Sequence, residues 1–278
     1  MKSIQEKYKK NWFQSSDMEE LYSVYPDPWA YSTTSIERYS SVIKKVKDML
    51  EKANANIKTI LEVGCSEGVF TELLTKNFPV AEIHGFDISK TALIRAIERT
   101  VSKNVRYYAL DIGKRVFPLP DKSVQLLFLC DVLYMLPSRD DVEFAVREVN
   151  RVLGPDGIVV ITEFTKTRKF SDMVCGAIGQ RLHDSRESIH FDIHPTTGKR
   201  DDTQYYRFLI FGRRDYGKEA KLVCRACRKE ATLLCEGNEY NLCESCLKTK
   251  RIVEAEADAE RRKGIPEDRN QGIRSLIP

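Results

Sequence analysis

Between residues 57 and 163, short apolar runs alternate with amphipathic segments of helical spacing, and this constrains the fold more than any other feature. Residues 57–63 read as a strand and 68–76 as a helix. A strand over 82–87 and a helix over 90–101 follow, then strands over 105–111 and 124–130. Val142, Val146, Val149 and Val152/Leu153 share one face of a helix over 140–153, which Gly154-Pro155-Asp156-Gly157 stops before a strand over 157–163. Strands that alternate with helices imply right-handed βαβ crossovers and a parallel sheet, a doubly wound Rossmann-like α/β fold. The apolar character of 124–130 and 157–161 suits strands covered on both faces. Residues 189–194 and 204–212, separated by Pro195-Thr196-Thr197-Gly198, read as a closing antiparallel hairpin.

Upstream, residues 1–33 form a polar, aromatic arm that ends in Asp27-Pro28-Trp29-Ala30-Tyr31, where Pro26 and Pro28 argue against a helix. Thr34-Ser35-Ile36-Glu37 has the form of a capping box. It opens a helix that carries Ile36, Tyr39, Val42, Ile43, Val46, Met49 and Leu50 on one face. Cysteine placement sets the downstream boundary near residues 216–218. Three cysteines (Cys65, Cys130, Cys175) are scattered before it, and five lie between Cys224 and Cys246. The expected organisation is an arm over 1–33, an α/β domain over 34–217, a cysteine module over 218–250 and a helical then extended tail over 251–278.

A hydrophobic share of 42% and a charged share of 31% exclude wholesale disorder, collagen and coiled coil. No apolar run approaches the ~18 residues of a membrane span. The N-terminal MKSIQEKYKKNW lacks the apolar core of a signal peptide. The expectation is a cytoplasmic chain, with no membrane partner, in which cysteines stay reduced and serve metal binding rather than disulfides. The net charge of +4 is too mild to indicate a nucleic-acid partner by itself.

The segment Glu62-Val63-Gly64-Cys65-Ser66-Glu67-Gly68 sits where the first strand turns into the first helix of the alternation, the crevice in which doubly wound sheets bind ligands. Glycines there permit close approach and positive φ. Asp87 ends the second strand 23 residues after Gly64 and can accept both hydroxyls of a ribose. Asp111 and Asp131 follow the third and fourth strands, so the strand tips present Glu62, Asp87, Asp111 and Asp131 along one edge. A Gly-rich turn alone is also compatible with a tight strand–helix connection. The loop does not have the spacing of the dinucleotide motif, which argues against NAD or FAD.

With these residues in view, the chain resembles a class I S-adenosylmethionine-dependent methyltransferase. Ser66 stands where that family's E-x-G-x-G-x-G loop has its middle glycine. Asp27-Pro28-Trp29, Ser35-Ile36-Glu37-Arg38, the Gly64–Gly68 loop and Asp131-Val132-Leu133-Tyr134 resemble more narrowly the branch named after the nodulation N-methyltransferase NodS. The resemblance spans about residues 25–165. It implies that Glu62, Gly64, Cys65, Ser66 and Gly68 hold the methionine part of the cofactor. By the same resemblance Asp87 holds the ribose, Ile88 lies on the adenine face, and Asp111 and Ile112 take the adenine. Cys130 and Asp131 would line the floor near Tyr134. Trp29, Tyr31 and Arg38 would cover the cofactor, with Arg38 able to pair with its carboxylate. The chemistry needs alignment and exclusion of water more than acid–base help. If a base acts, the candidates are Asp131, Tyr134, Glu163 and His190, each of which also has an ordinary structural reading. Asp131 and Tyr134 are the leading catalytic candidates. His84, inside a strand, reads as structural.

Cys224, Cys227, Cys243 and Cys246 form C-x2-C-x15-C-x2-C, a zinc signature in which two turns complete a tetrahedron of thiolates. Arg225, Arg228, Lys229 and Lys248 would offset its charge. Cys235 is left over. The acceptor expected is a small polar molecule, amine or hydroxyl, with RNA or protein, gripped by the zinc module, as the other class.

Overall fold

The computed structural model describes residues 15–52, 54–164, 174, 181–189, 192–193, 200–201 and 205–212. The chain falls into two units, Met1–Ala220 and Lys221–Pro278, and every described residue lies in the first.

The described residues open with helix α1 (Ser15–Val24), a single turn α2 (Tyr31–Thr34) and α3 (Ile36–Lys52). The alternation follows as β1 (Thr59–Val63), α4 (Val69–Asn77), β2 (Glu82–Asp87), α5 (Lys90–Arg99), β3 (Val105–Ala109), β4 (Val124–Cys130), a 3-10 turn (Leu133–Met135), α6 (Arg139–Val152) and β5 (Leu153–Phe164). Strands β6 (Arg181–Ile189), β7 (Asp192–Ile193), β8 (Arg200–Asp201) and β9 (Tyr205–Gly212) complete it. A seven-stranded sheet runs β3-β2-β1-β4-β5-β9-β6. Its first five strands are parallel, and β9 runs antiparallel to both β5 and β6. Strand order reverses between β1 and β4, so the crevice beyond their carboxyl ends is the topological switch point.

Both faces of the central strands are covered. Leu126, Phe128, Ile158, Val160 and Ile210 face the cluster that α3 and α4 complete through Val42, Ile43, Val46, Phe70 and Leu74. The alternate residues Leu127, Leu129, Val159, Ile161 and Phe211 are buried as well. Burying each such side chain is worth about 1.5–3 kcal/mol. Phe70 keys the helices to the sheet, 4.6 Å from Tyr39 and 5.0 Å edge-on from Phe128. No helix among the described residues is long and apolar enough to cross a membrane.

Three expectations need correction. The arm contains a ten-residue helix, α1; its mixed sequence SSDMEELYSV lacks an obvious apolar stripe, so spacing did not reveal it. Ser35, not Thr34, lies next to the start of α3, and its hydroxyl accepts from Arg38 Nη2 at 3.1 Å instead of closing a capping box. The strand that pairs with β9 at the sheet's edge is 181–189, not 189–194. Its sequence, RLHDSRESI, carries little of the apolar alternation that marks a strand. His84 is buried in β2 with Nδ1 3.3 Å from the Tyr108 hydroxyl, as its structural reading expected. Cys224, Cys227, Cys235, Cys243 and Cys246, the tail, Cys175 and His190 lie outside the described residues.

Candidate active site

The turn from β1 into α4 needs three left-handed residues in five: Gly64 at φ 78°, Ser66 at φ 50° and Gly68 at φ 75°. A Cβ on Gly64 would stand 2.7 Å from Val132 Cγ2, so only glycine lets this loop pass the segment after β4. The loop is tied to β2, where Phe86 O accepts from Gly64 N at 2.8 Å and from Cys65 N at 2.9 Å. Asp87 then fastens the loop to the next helix. Its Oδ2 accepts from Ser66 N at 2.8 Å and its Oδ1 from Ser89 N at 2.9 Å, and Ser89 caps α5. A carboxylate offers about four acceptor positions, so Asp87 keeps capacity for a ligand hydroxyl.

A cleft opens over this loop. Gly64, Ser66, Phe86, Asp87 and Ile88 line one side, and Leu110, Asp111 and Ile112 line the tip of β3. Cys130, Asp131, Val132 and Tyr134 line the tip of β4, with Met135–Pro137 beyond. Met18, Tyr22, Trp29 and Tyr31 come from the arm. Trp29 and Tyr31 stack at 6.5 Å between centroids. Trp29 Nε1 donates to the Tyr22 hydroxyl at 2.9 Å, which in turn sits 2.6 Å from Ser66 Oγ. Ser66 is thus one of the arm's points of attachment.

Other contacts hold the arm down. Glu19 accepts from Ser89 Oγ at 2.7 Å and from Thr91 Oγ1 at 2.6 Å, at the N-terminus of α5. Glu67, buried within the loop, accepts the Asp27 N–H with both oxygens, at 3.1 and 3.0 Å, and Arg95 Nη1 at 2.6 Å. Spacing and motif had given no role to Glu19, Tyr22 or Glu67. Glu19 reaches Thr91, 72 residues away, Tyr22 reaches Ser66, 44 away, and Glu67 reaches Asp27, 40 away, beyond any local pattern.

Asp131 is 5% exposed and sits at φ 57°, a left-handed position that a non-glycine residue holds at a cost. Its N–H donates to Thr162 O at 2.9 Å, and its Oδ2 pairs with the Arg38 guanidinium, itself buried and 4.7 Å from the centre of the Tyr39 ring. Asp131 Oδ1 is buried and accepts no hydrogen bond from the described residues.

The acidic groups of the site are strongly perturbed. Burial pushes Glu62 up to about 8, helped by the charge of Asp87 and opposed by the Thr71 hydroxyl, which donates at 2.6 Å. Burial also raises Asp87 to about 6, against the N–H groups of Ser89, Ser66 and Ile88. It likewise holds the phenols of Tyr22 and Tyr31 well above their usual range.

Of the expected site residues, Trp29, Tyr31, Gly64, Ser66, Asp87, Ile88, Asp111, Ile112, Cys130, Asp131 and Tyr134 share this cleft. Arg38, Glu62, Cys65 and Gly68 do not line it. Arg38 is engaged by Asp131, Glu62 by Thr71, Cys65 is buried, and Gly68 is the residue just before α4. Glu163 is buried on β5 and is not among the lining residues.

Residues 61–161 match the family model described as "Methyltransferase domain". A malonyl-[acyl-carrier protein] O-methyltransferase of Bacillus anthracis is 29% identical over 143 residues, covering 48% of this chain and 49% of that protein. A dTDP-4-amino-2,3,4,6-tetradeoxy-D-glucose N,N-dimethyltransferase of Saccharopolyspora spinosa is 26% identical over 190 residues, covering 63% of this chain and 72% of its own. The chain spans about half the length of the first of these relatives. Among solved structures, the N-methyltransferase NodS from Bradyrhizobium japonicum WM9, in complex with S-adenosyl-L-homocysteine, aligns with a TM-score of 0.52 at 18% identity. The alignment covers 71% of this chain and 97% of that one, a likeness of fold. The switch-point cleft is lined in large part by the matched segment: residues 61–161 match a methyltransferase domain.

Proposed function

We propose that the chain transfers a methyl group to a nitrogen or oxygen of a small polar acceptor, with S-adenosylmethionine as donor. The donor supplies a methyl carbon on a positively charged sulfur. The residues present fit it. Gly64 and Ser66 line the cleft beside Asp87, which keeps acceptor capacity for a ligand hydroxyl. In this reading Gly64 and Ser66 face the methionine part, Asp87 the ribose, and Ile88, Asp111 and Ile112 the adenine.

The observation that carries the small-acceptor reading is the arm. Met18, Tyr22, Trp29 and Tyr31 wall the cleft with apolar and aromatic surface, which suits a compact ligand with few polar groups. The Saccharopolyspora spinosa relative, named for an amino sugar, supports the same class. Incubating the protein with methyl-labelled donor and cell extract tests this. Label should enter the small-molecule fraction, and label confined to RNA or protein would overturn it.

The cysteine module favours a second reading, in which the acceptor is RNA or protein. Zinc held by Cys224, Cys227, Cys243 and Cys246 would give residues 218–250 a folded grip on a large partner. Deleting residues 219–278 separates the two. Survival of small-molecule turnover supports the first reading. Loss of RNA or protein labelling with donor binding intact supports the second.

A further inference from the structure

Asp131 combines features that a structural aspartate does not need. It bears a left-handed backbone at φ 57°, one oxygen committed to buried Arg38, and a second buried oxygen with no donor among the described residues. Native proteins rarely leave a buried carboxylate oxygen unmet, and backbone strain of this kind gathers at functional sites. The residue lines the cleft, and the aromatic walls stand beside it. Asp131 and Tyr134 both bear electrostatically on Tyr31, which stacks on Trp29. A carboxylate among aromatic faces is a receptor for positive charge.

We propose that the cleft selects an amine as acceptor and that Asp131 Oδ1 receives one of its N–H groups. This rests on the methyl-transfer reading above and narrows it. An ammonium first gives one proton to water. The nitrogen lone pair then forms the new bond to the methyl carbon, and the electrons of the broken C–S bond remain on sulfur as a thioether. The positive charge ends on nitrogen, beside Asp131, which therefore favours the charge as it develops. The amine keeps its N–H to Oδ1 throughout. A carboxylate acceptor would instead bring a second anion against Asp131.

The test uses the full chain with Trp12→Phe, which leaves Trp29 as sole tryptophan. Saturated with S-adenosylhomocysteine, it is titrated with n-butylammonium chloride and, separately, with sodium butyrate at constant ionic strength, reading Trp29 emission. The amine should half-saturate at a concentration at least tenfold lower than butyrate. Asp131→Asn, which tolerates the left-handed backbone, should weaken the amine at least tenfold while changing S-adenosylhomocysteine affinity less than twofold. Tyr134→Leu, at a half-buried position, should weaken the amine as well, and it decides the matter if the Asp131 variant does not fold. Equal response to amine and butyrate, or an unchanged amine response in whichever variant decides, overturns the proposal. Equal loss of amine and S-adenosylhomocysteine in Asp131→Asn assigns Asp131 to the donor and overturns it too. A wild-type protein that does not bind S-adenosylhomocysteine brings down the methyl-transfer reading itself.

Discussion

Glu62 holds its proton in the native state up to about pH 8, whereas in the unfolded chain it loses it near 4.5. Between those values the native state binds more protons, so stability falls as pH rises, by at most about 1.4 kcal/mol per pH unit for this group. Glu62→Gln keeps an acceptor for Thr71 without the charge. It should flatten the decline in melting temperature from pH 5 to pH 8, and an unchanged slope would refute the assignment. Asp87→Ala removes an anchor of loop and ligand and should cost roughly 1.5–3 kcal/mol of S-adenosylhomocysteine binding by calorimetry. Gly64→Ala meets Val132 and a positive φ together and should lower both the melting temperature and that affinity. The glycines and Asp87 were legible because a motif fixes them at a strand end. The Arg38–Asp131 pair was not, because it joins residues 93 apart on elements whose approach only the sheet determines.

At the scale of elements, the arm depends on Glu67. Glu67→Ala deprives Asp27 N and Arg95 of their acceptor and should expose α1 to limited proteolysis while the sheet remains resistant. Cleavage no faster than wild type would show that Glu19 and Tyr22 suffice. The parallel strands were readable from composition, since residues 126–130 of β4 and 158–161 of β5 are apolar throughout. Helix α1 and strand β6 were not: each is mixed in polarity and adopts its state through partners rather than propensity. For α1 those partners include Ser66, Ser89 and Thr91.

For the whole molecule, the cysteine spacing leads to one expectation of composition. Purified protein should carry one zinc per chain by metal analysis, unchanged by Cys235→Ser and lost with Cys243→Ser. Zinc loss from Cys235→Ser would mean that the fourth ligand is misassigned. The arm has a consequence of another kind, for the order in which the chain assembles. The hydrogen bonds that tie α1 to Ser66, Ser89 and Thr91, and Asp27 to Glu67, reach 40 or more residues ahead. None of those partners exists as a surface until β1, β2 and α5 have come together, and long loops close late. The first part of the arm to leave the ribosome is therefore among the last to find its place. In denaturant its amides should exchange with solvent before those of β1 and β4, which makes the roof of the cleft a separately melting piece of the fold.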